Sequence, residues 1–189
     1  MIDGGTGILS VNGSIMALMV PTLHTDRLKL EPISKSHSSG MFALWSDTTV
    51  FEYSGTIKDL NDNTIAMPVK TQAESDLIID FWLKASVDGW GFRWAIILPE
   101  EDFFAGTIGF NSLRNPYEIA FHLRTILCGR GIMTEACAAA IQWSTENGAT
   151  GIEAFISPEN TRSIALALRL EMSATDEYFD GAQRHTKQF

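Results

Sequence analysis

Cysteines, basic residues and long apolar runs are all scarce in this chain of 189 residues. Its two cysteines, Cys128 and Cys137, belong to no CxxC pair and to no Cys/His cluster, so we expect no metal site. Two free thiols are typical of the reducing cytoplasm, and we expect a cytoplasmic protein. No apolar run is long enough to predict a membrane-spanning helix.

The excess of acidic over basic residues indicates which kinds of binding partner to expect. Lys and Arg number 14 against 23 Asp and Glu, which gives a formal net charge of -9. Nucleic-acid binding needs a basic face that displaces counterions, so this balance argues against a nucleic-acid partner. An acidic protein does suit a cationic or amine substrate.

The N-terminal residues 1–22 are predicted to be an extension rather than part of the fold. Residues 8–20 are apolar enough to resemble a secretory signal, but Asn12, Gly13 and Ser14 interrupt them and no basic residue precedes Arg27. A secretory signal carries positive charge before its apolar run. Residues 23–189 are expected to form one domain, because no linker, repeat or low-complexity tract divides them.

Hydrophobic periodicity and turn residues predict an alternation of strands and helices. In the first half we expect a strand over 23–31 that ends at Pro32, a helix over 36–45, a loop over 47–70 and a helix after the capping box of Thr71 and Glu74. The second half predicts strands over 92–98, 103–113 and 117–124, a helix over 132–146, a strand over 152–156, a helix capped by Asn160 and a hairpin of 172–179 with 184–189. This order predicts an α/β (α+β) fold with helices on both faces of a mixed sheet.

The segment from Cys128 to Thr134 joins a predicted strand to a predicted helix and contains Gly129 and Gly131. Free N–H groups at a helix start bind pyrophosphate, and glycines let the backbone approach it closely. Arg130 adds a positive charge and Thr134 a hydroxyl. A Gly-x-Gly pair also occurs in plain strand-to-helix turns, so alone it indicates only a candidate phosphate site.

Two longer segments carry a family resemblance. EIAFHLRTILCGRGIMTEA (118–136) and FISPENTRSIALALRL (155–170) resemble the GNAT acetyltransferases, and within them the RimJ/RimL-like branch of ribosomal-protein N-terminal acetyltransferases. The resemblance covers about 23–189. It implies the GNAT fold, a mixed, mostly antiparallel, twisted sheet splayed open at the site of its cofactor, acetyl-CoA (coenzyme A). It also implies direct acetyl transfer through a tetrahedral intermediate, and the family often forms homodimers.

The resemblance further implies which residues hold acetyl-CoA. The backbone of Phe121, His122 and Leu123 would contact the pantetheine arm, Asn160 would reach the same arm and Ser163 would lie near the thioester sulfur. The pyrophosphate would lie on Gly129, Arg130, Gly131, Ile132, Met133 and Thr134.

Catalytic residues are implied in the same way. Many GNAT enzymes carry an acidic tyrosine seven residues after this asparagine, but here the position is Ala167, so the resemblance shifts the role of acid to Ser163. Glu177, in the text DEYFDG, aligns with a proposed glutamate base of RimL-like enzymes; an exposed strand residue is the alternative. His122 and Glu135 are expected to be structural. The family's Leu-Gly-Phe is replaced by Leu-Glu-Met at 170–172, so we expect an altered exit from the preceding helix.

The acceptor site is formed by the part of the chain with the least regular sequence pattern. Phe51, Tyr53 and Trp90 are the candidate substrate-binding residues. The expected acceptor is a primary amine, and the RimJ/RimL-like resemblance implies a protein N-terminus as the most natural one. An α-amine titrates at about 7.7–8.0 and a lysine amine at about 10.4, so an N-terminal acceptor also demands less of the base. A small-molecule amine (antibiotic, polyamine or amino-acid derivative) and a non-catalytic acyl-CoA-binding module stay open as alternatives.

Overall fold

The computed structural model of the chain describes residues 18–189, so most of the predicted extension over 1–22 lies outside the described residues. The helices are α1 (Ser38–Trp45), α2 (Gln72–Asp88), α3 (Ile132–Glu146) and α4 (Thr161–Arg169). The strands are β1 (Leu23–His24), β2 (Lys29–Pro32), β3 (Phe92–Leu98), β4 (Phe103–Ser112), β5 (Tyr117–Leu123), β6 (Gly151–Ile156), β7 (Ser173–Phe179) and β8 (Ala182–Gln188). Within residues 18–189, no helix has both the length and the apolar character that crossing a membrane would require.

All eight strands form one sheet in the order β1-β2-β3-β4-β5-β6-β8-β7. Every neighbouring pair is antiparallel except β5 and β6, which are parallel and pair only at Tyr117 with Ile152 and at Glu118 with Glu153. Beyond Glu118 the two strands separate, because β6 continues to pair with β8 on its other side. The sheet is therefore mixed, mostly antiparallel and splayed in its middle, which confirms the predicted fold class.

Helices cover both faces of this sheet. On β3, Phe92 and Trp94 point into the core cluster that contains α3 and α4 residues, whereas Ala95 belongs to a second cluster with α1 and α2 residues. The alternation follows from the two-residue period of a strand. Both faces of β3 are buried, as expected for a central strand between two helical layers.

One predicted strand is two strands in the structure. Residues 23–31 contain β1 and β2, which pair with each other across a tight turn. The turn is closed by Thr25, whose N–H donates to the Leu28 carbonyl at 2.9 Å and whose Oγ1 accepts from the Leu28 N–H at 3.0 Å. Four consecutive polar residues, 24–27, interrupt the alternation at this turn, and the prediction of a single strand overlooked that signal. Pro32 is the last residue of β2 rather than a residue after it.

Glu171 ends α4 in a conformation that is unusual for its residue type. In place of the family's glycine, it adopts the left-handed conformation with φ of 61°. The N–H of Glu171 donates to the Leu168 carbonyl at 3.0 Å and that of Met172 to the Ala167 carbonyl at 2.9 Å, a hydrogen-bond pattern that glycine normally permits at a helix end. A residue with a Cβ adopts this conformation at a cost of about 1 kcal/mol in backbone strain.

Candidate active site

A cleft of about 1860 Å³ crosses the sheet where β5 and β6 separate. Its cofactor end is formed by the glycine loop (residues 128–131), the first turn of α3, the end of β5 and the start of α4. Its acceptor end is lined by Trp82, Trp90, Arg93, Asn111, Glu118 and His122.

The glycine loop has the backbone that a phosphate site requires. Gly129 and Gly131 have φ of 78° and 75°, in the left-handed region that other residues rarely adopt. Gly131 is the N-cap of α3 and supplies no side chain to its first turn. The N–H groups of Ile132, Met133 and Thr134 therefore have no side-chain cap, and all three residues line the cleft. An uncapped helix start of this kind fits a pyrophosphate.

A charged contact holds the glycine loop against the turn between β1 and β2. Arg27 donates from Nη1 to the Arg130 carbonyl at 3.0 Å and from Nε to Glu135 at 2.7 Å. Glu135 also accepts from the Thr25 hydroxyl at 2.6 Å and from the Arg27 N–H at 2.9 Å. Burial acts to raise the pKa of Glu135, but the hydrogen bonds from Thr25 and Arg27 outweigh it and lower that pKa. Arg130 contributes its carbonyl to this contact and does not line the cleft.

The remaining predicted cofactor residues also line the cleft. Phe121, His122 and Leu123 lie on the part of β5 that has no pairing to β6, so the edge of this segment is open to a ligand arm. The Asn160 Oδ1 accepts from the Ser163 N–H at 3.1 Å and caps α4, which leaves its amide Nδ2 as an available donor. These features fit an extended arm that lies beside β5 and ends in a pyrophosphate on the glycine loop.

Glu118 is a site residue that sequence reasoning missed. Its Oε1 accepts from Asn111 Nδ2 at 2.6 Å, and Arg93 in turn donates to Asn111 Oδ1. Alternation along β5 places Glu118, Ala120 and His122 on one face, and all three line the cleft. That alternation was readable in the sequence.

The geometry around His122 argues against a role as base. Its Nε2 lies 3.1 Å from the Ser54 hydroxyl and its ring is 4.5 Å from that of Trp45. Burial, with a smaller contribution from the charge of Arg93, lowers the pKa of His122 to about 3. The ring is therefore neutral near pH 7, and its proton affinity is too low for an efficient base.

Besides Arg130, two predicted residues lie away from this cleft. Glu177 is on β7, its side chain is 68% exposed, and it pairs with Arg184 at 2.9 Å; it is absent from the lining of the cleft. Phe51 lines a separate, smaller cavity of about 220 Å³. Ser163, Tyr53 and Trp90 do line the main cleft. Ala167 is 2% exposed and packs in the core, so no side chain at that position supplies an acid.

The chain is similar in sequence to known acetyltransferases. Residues 27–173 match the model of the family described as "Acetyltransferase (GNAT) domain". The uncharacterized N-acetyltransferase p20 of Bacillus licheniformis is 32% identical over 149 residues, which are 77% of this chain and 78% of that protein.

Solved structures show the same fold at low sequence identity. A structure assigned as a ribosomal-protein-serine acetyltransferase of Vibrio cholerae superposes with a TM-score of 0.74 at 17% identity and covers 92% of this chain and 100% of that one. RimL, a ribosomal L7/L12 alpha-N-protein acetyltransferase solved with coenzyme A, gives a TM-score of 0.70 at 18% identity over 87% of this chain and 96% of its own.

Proposed function

This chain belongs to the GNAT acetyltransferase family, and on that premise we propose that it transfers an acetyl group from acetyl-CoA to the α-amine of a protein N-terminus. The observation that carries the proposal is the continuity of one cleft, which joins the uncapped start of α3 to the carboxylate of Glu118. Acetyl-CoA supplies an activated thioester. The chain must bind and orient it, remove one proton from the acceptor amine and supply one to the leaving sulfur.

Binding of the donor is assigned to backbone groups. The first-turn N–H groups of α3 hold the pyrophosphate, and the unpaired edge of β5 holds the arm. The backbone N–H near Leu123 is assigned to the acetyl oxygen, where a fixed donor stabilises the negative charge that develops during attack. Arg27 maintains the shape of the glycine loop through the Arg130 carbonyl.

Proton transfer is assigned to two side chains that line the cleft, Glu118 and Ser163. Glu118 removes a proton from the acceptor amine, directly or through one water molecule. A carboxylate suffices for an α-amine, because this amine titrates at about 7.7–8.0 and is partly neutral near pH 7. Ser163, in the first turn of α4, donates a hydrogen bond to the leaving sulfur, since Ala167 provides no acid.

The acceptor end is open enough for a polypeptide. Tyr53 and Trp90 are each 41% exposed at the rim of the cleft. A peptide acceptor needs a solvent-exposed part of the cleft for the residues that follow its first one, and these exposures support such an acceptor. RimL, which acts on the α-amine of a ribosomal protein according to its name, has the same fold.

The test measures thiol release from acetyl-CoA with the full chain. Peptides with a free α-amine should cause release of coenzyme A thiol, whereas the same peptides blocked at the N-terminus but carrying a lysine should not. If only small amines caused thiol release, the acceptor would be a small molecule rather than a protein. If no amine caused thiol release, acetyl transfer itself would be contradicted.

Paired variants separate the two candidate bases. Glu118→Gln should lower kcat by about 10²–10⁴ at pH 7 without unfolding the chain, since a positioned base contributes that much. Glu177→Gln should lower it by less than about twofold, because that carboxylate lies outside the cleft. The reverse ranking would return the role of base to Glu177.

A further inference from the structure

Arg93 is a buried cation without a carboxylate partner. Its side chain is on β3 at the acceptor end of the cleft, and the residue is 4% exposed. Nη1 donates to the Phe92 carbonyl at 2.9 Å and Nη2 donates to Asn111 Oδ1. Among residues 18–189, no carboxylate oxygen lies within 4.0 Å of a guanidinium nitrogen of Arg93. A guanidinium has five N–H donors, so two hydrogen bonds leave part of its capacity unused.

Such a group is costly unless something pairs with it. A buried charge that lacks a counter-ion loses its hydration without compensation. Burial lowers the pKa of Arg93 to about 9, partly opposed by Glu118, so the guanidinium is still charged near pH 7. Stacking on Trp82, whose ring centre is 3.5 Å from the guanidinium carbon, stabilises the cation but adds no negative charge.

Small residues lie beside Arg93 in the sheet. Directly across the strands, Arg93 is opposite Gly109 on β4, and Gly109 is opposite Ala120 on β5. Arg93, Ala120 and Glu118 all line the cleft. The amide of Asn111 connects the two charges through two hydrogen bonds, which sets them roughly 6 Å apart.

We propose that the acceptor carries a carboxylate close to its reactive amine, and that Arg93 binds this carboxylate while Glu118 faces the amine. The separation of the two charges matches a compact zwitterion, and a guanidinium binds a carboxylate through two parallel hydrogen bonds. Phe81, Trp82 and Trp90, whose rings lie 5.1–6.0 Å apart, form an aromatic wall for the apolar part of the acceptor. This inference rests on the proposed acetyl transfer to an α-amine. An N-terminal Asp or Glu of a peptide and a free amino acid both present this chemistry.

The experiment exchanges the carboxylate of the acceptor for a neutral amide of the same shape. Wild-type enzyme is assayed by thiol release with peptides that begin with Asp or Asn, and with free amino acids or their amides. We expect kcat/KM to be about 10- to 100-fold higher for the carboxylate member of at least one pair, in line with the loss expected when one partner of a buried charge pair is neutralised. A preference within the peptide pair identifies an N-terminal Asp as the source of the carboxylate, and a preference within the other pair identifies a free amino acid.

Variants assign the preference to Arg93. Arg93→Met should raise KM for the carboxylate acceptor and reduce the preference for the carboxylate over the neutral member of the pair to less than about threefold. Arg114→Met, at an exposed arginine in the turn between β4 and β5, should keep the full preference. Equal kcat/KM within both pairs in the wild type would overturn the inference and leave acetyl transfer intact. Absence of thiol release with every acceptor would contradict the proposed function, and the inference with it.

Discussion

Replacement of Glu135 by glutamine should weaken both the fold and the binding of acetyl-CoA. The Glu135 carboxylate accepts from the Thr25 hydroxyl, the Arg27 N–H and the Arg27 Nε, and its Oε2 lies 2.6 Å from Arg27 Nη2. Glutamine keeps one acceptor oxygen, but it places an NH₂ group against the donors of Arg27. The second effect follows because Arg27 also holds the carbonyl of Arg130 in the glycine loop.

The expected loss of unfolding free energy depends on how exposed Glu135 and Arg27 are. Hydrogen bonds to a charged group contribute about 1.5–3 kcal/mol and neutral ones about 0.5–1.5 kcal/mol. The Glu135 side chain is 19% exposed but that of Arg27 is 51% exposed, so solvent screening reduces the charged contribution. We expect Glu135→Gln to lower the free energy of unfolding by about 2 kcal/mol, which corresponds to about 4–8 °C in Tm for a chain of this size.

The pH dependence provides an independent check on the same residue. The folded-state pKa of Glu135 is lowered, so its stabilisation is fully present above the ordinary glutamate value of about 4.3 and is lost as pH falls through the lower folded value. The difference in unfolding free energy between wild type and variant should therefore shrink below about pH 4.3. Urea unfolding at pH 7 and at pH 3.5–4 measures it, and calorimetry of coenzyme A binding measures the effect on the loop.

A matched control is Glu146→Gln, an exposed carboxylate in the last turn of the same helix. This variant should change the unfolding free energy by less than about 0.5 kcal/mol and leave coenzyme A affinity unchanged. If Glu135→Gln behaved like this control at both pH values, the contact between Arg27 and Glu135 would not support the glycine loop.

Two further substitutions test backbone conformation. Gly131→Ala should lower coenzyme A affinity several-fold, because φ of 75° costs a residue with a Cβ about 1–2 kcal/mol and the first turn of α3 must shift. The control Gly148→Ala, at a glycine with φ of 86° outside the cleft, should lower the stability of the fold and leave coenzyme A affinity unchanged. Equal coenzyme A affinities of the two variants in calorimetry would contradict this prediction. Glu171→Gly should raise the free energy of unfolding by about 0.5–1 kcal/mol, because relief of a left-handed residue at the end of α4 outweighs the loss of its exposed ion pair with Lys187; a decrease measured by urea unfolding would contradict this ranking of the two effects.

Local signals were sufficient for most of the secondary structure. The predicted helix over 132–146 and the strand over 92–98 have the observed bounds, because each depends on a periodic pattern within one segment and on turn residues beside it. Thr71 and Glu74 form the predicted capping box, with hydrogen bonds of 3.3 and 3.0 Å. The prediction of a single strand over 23–31 was wrong, because the four polar residues 24–27 interrupt the alternation and form a turn between two strands.

Contiguous runs of residues encode the order of the elements, most of their bounds, the family resemblance and the glycine loop, because each of these depends on a local pattern. Which side chains meet in the cleft depends on the tertiary structure. Glu118 is linked to Arg93 through the side chain of Asn111, which lies at the register shift between β4 and β5. Glu177 lies outside the cleft because its strand, β7, is at the outer edge of the sheet. These positions depend on contacts between distant segments, such as the 108 residues that separate Arg27 from Glu135, and no local pattern encodes them.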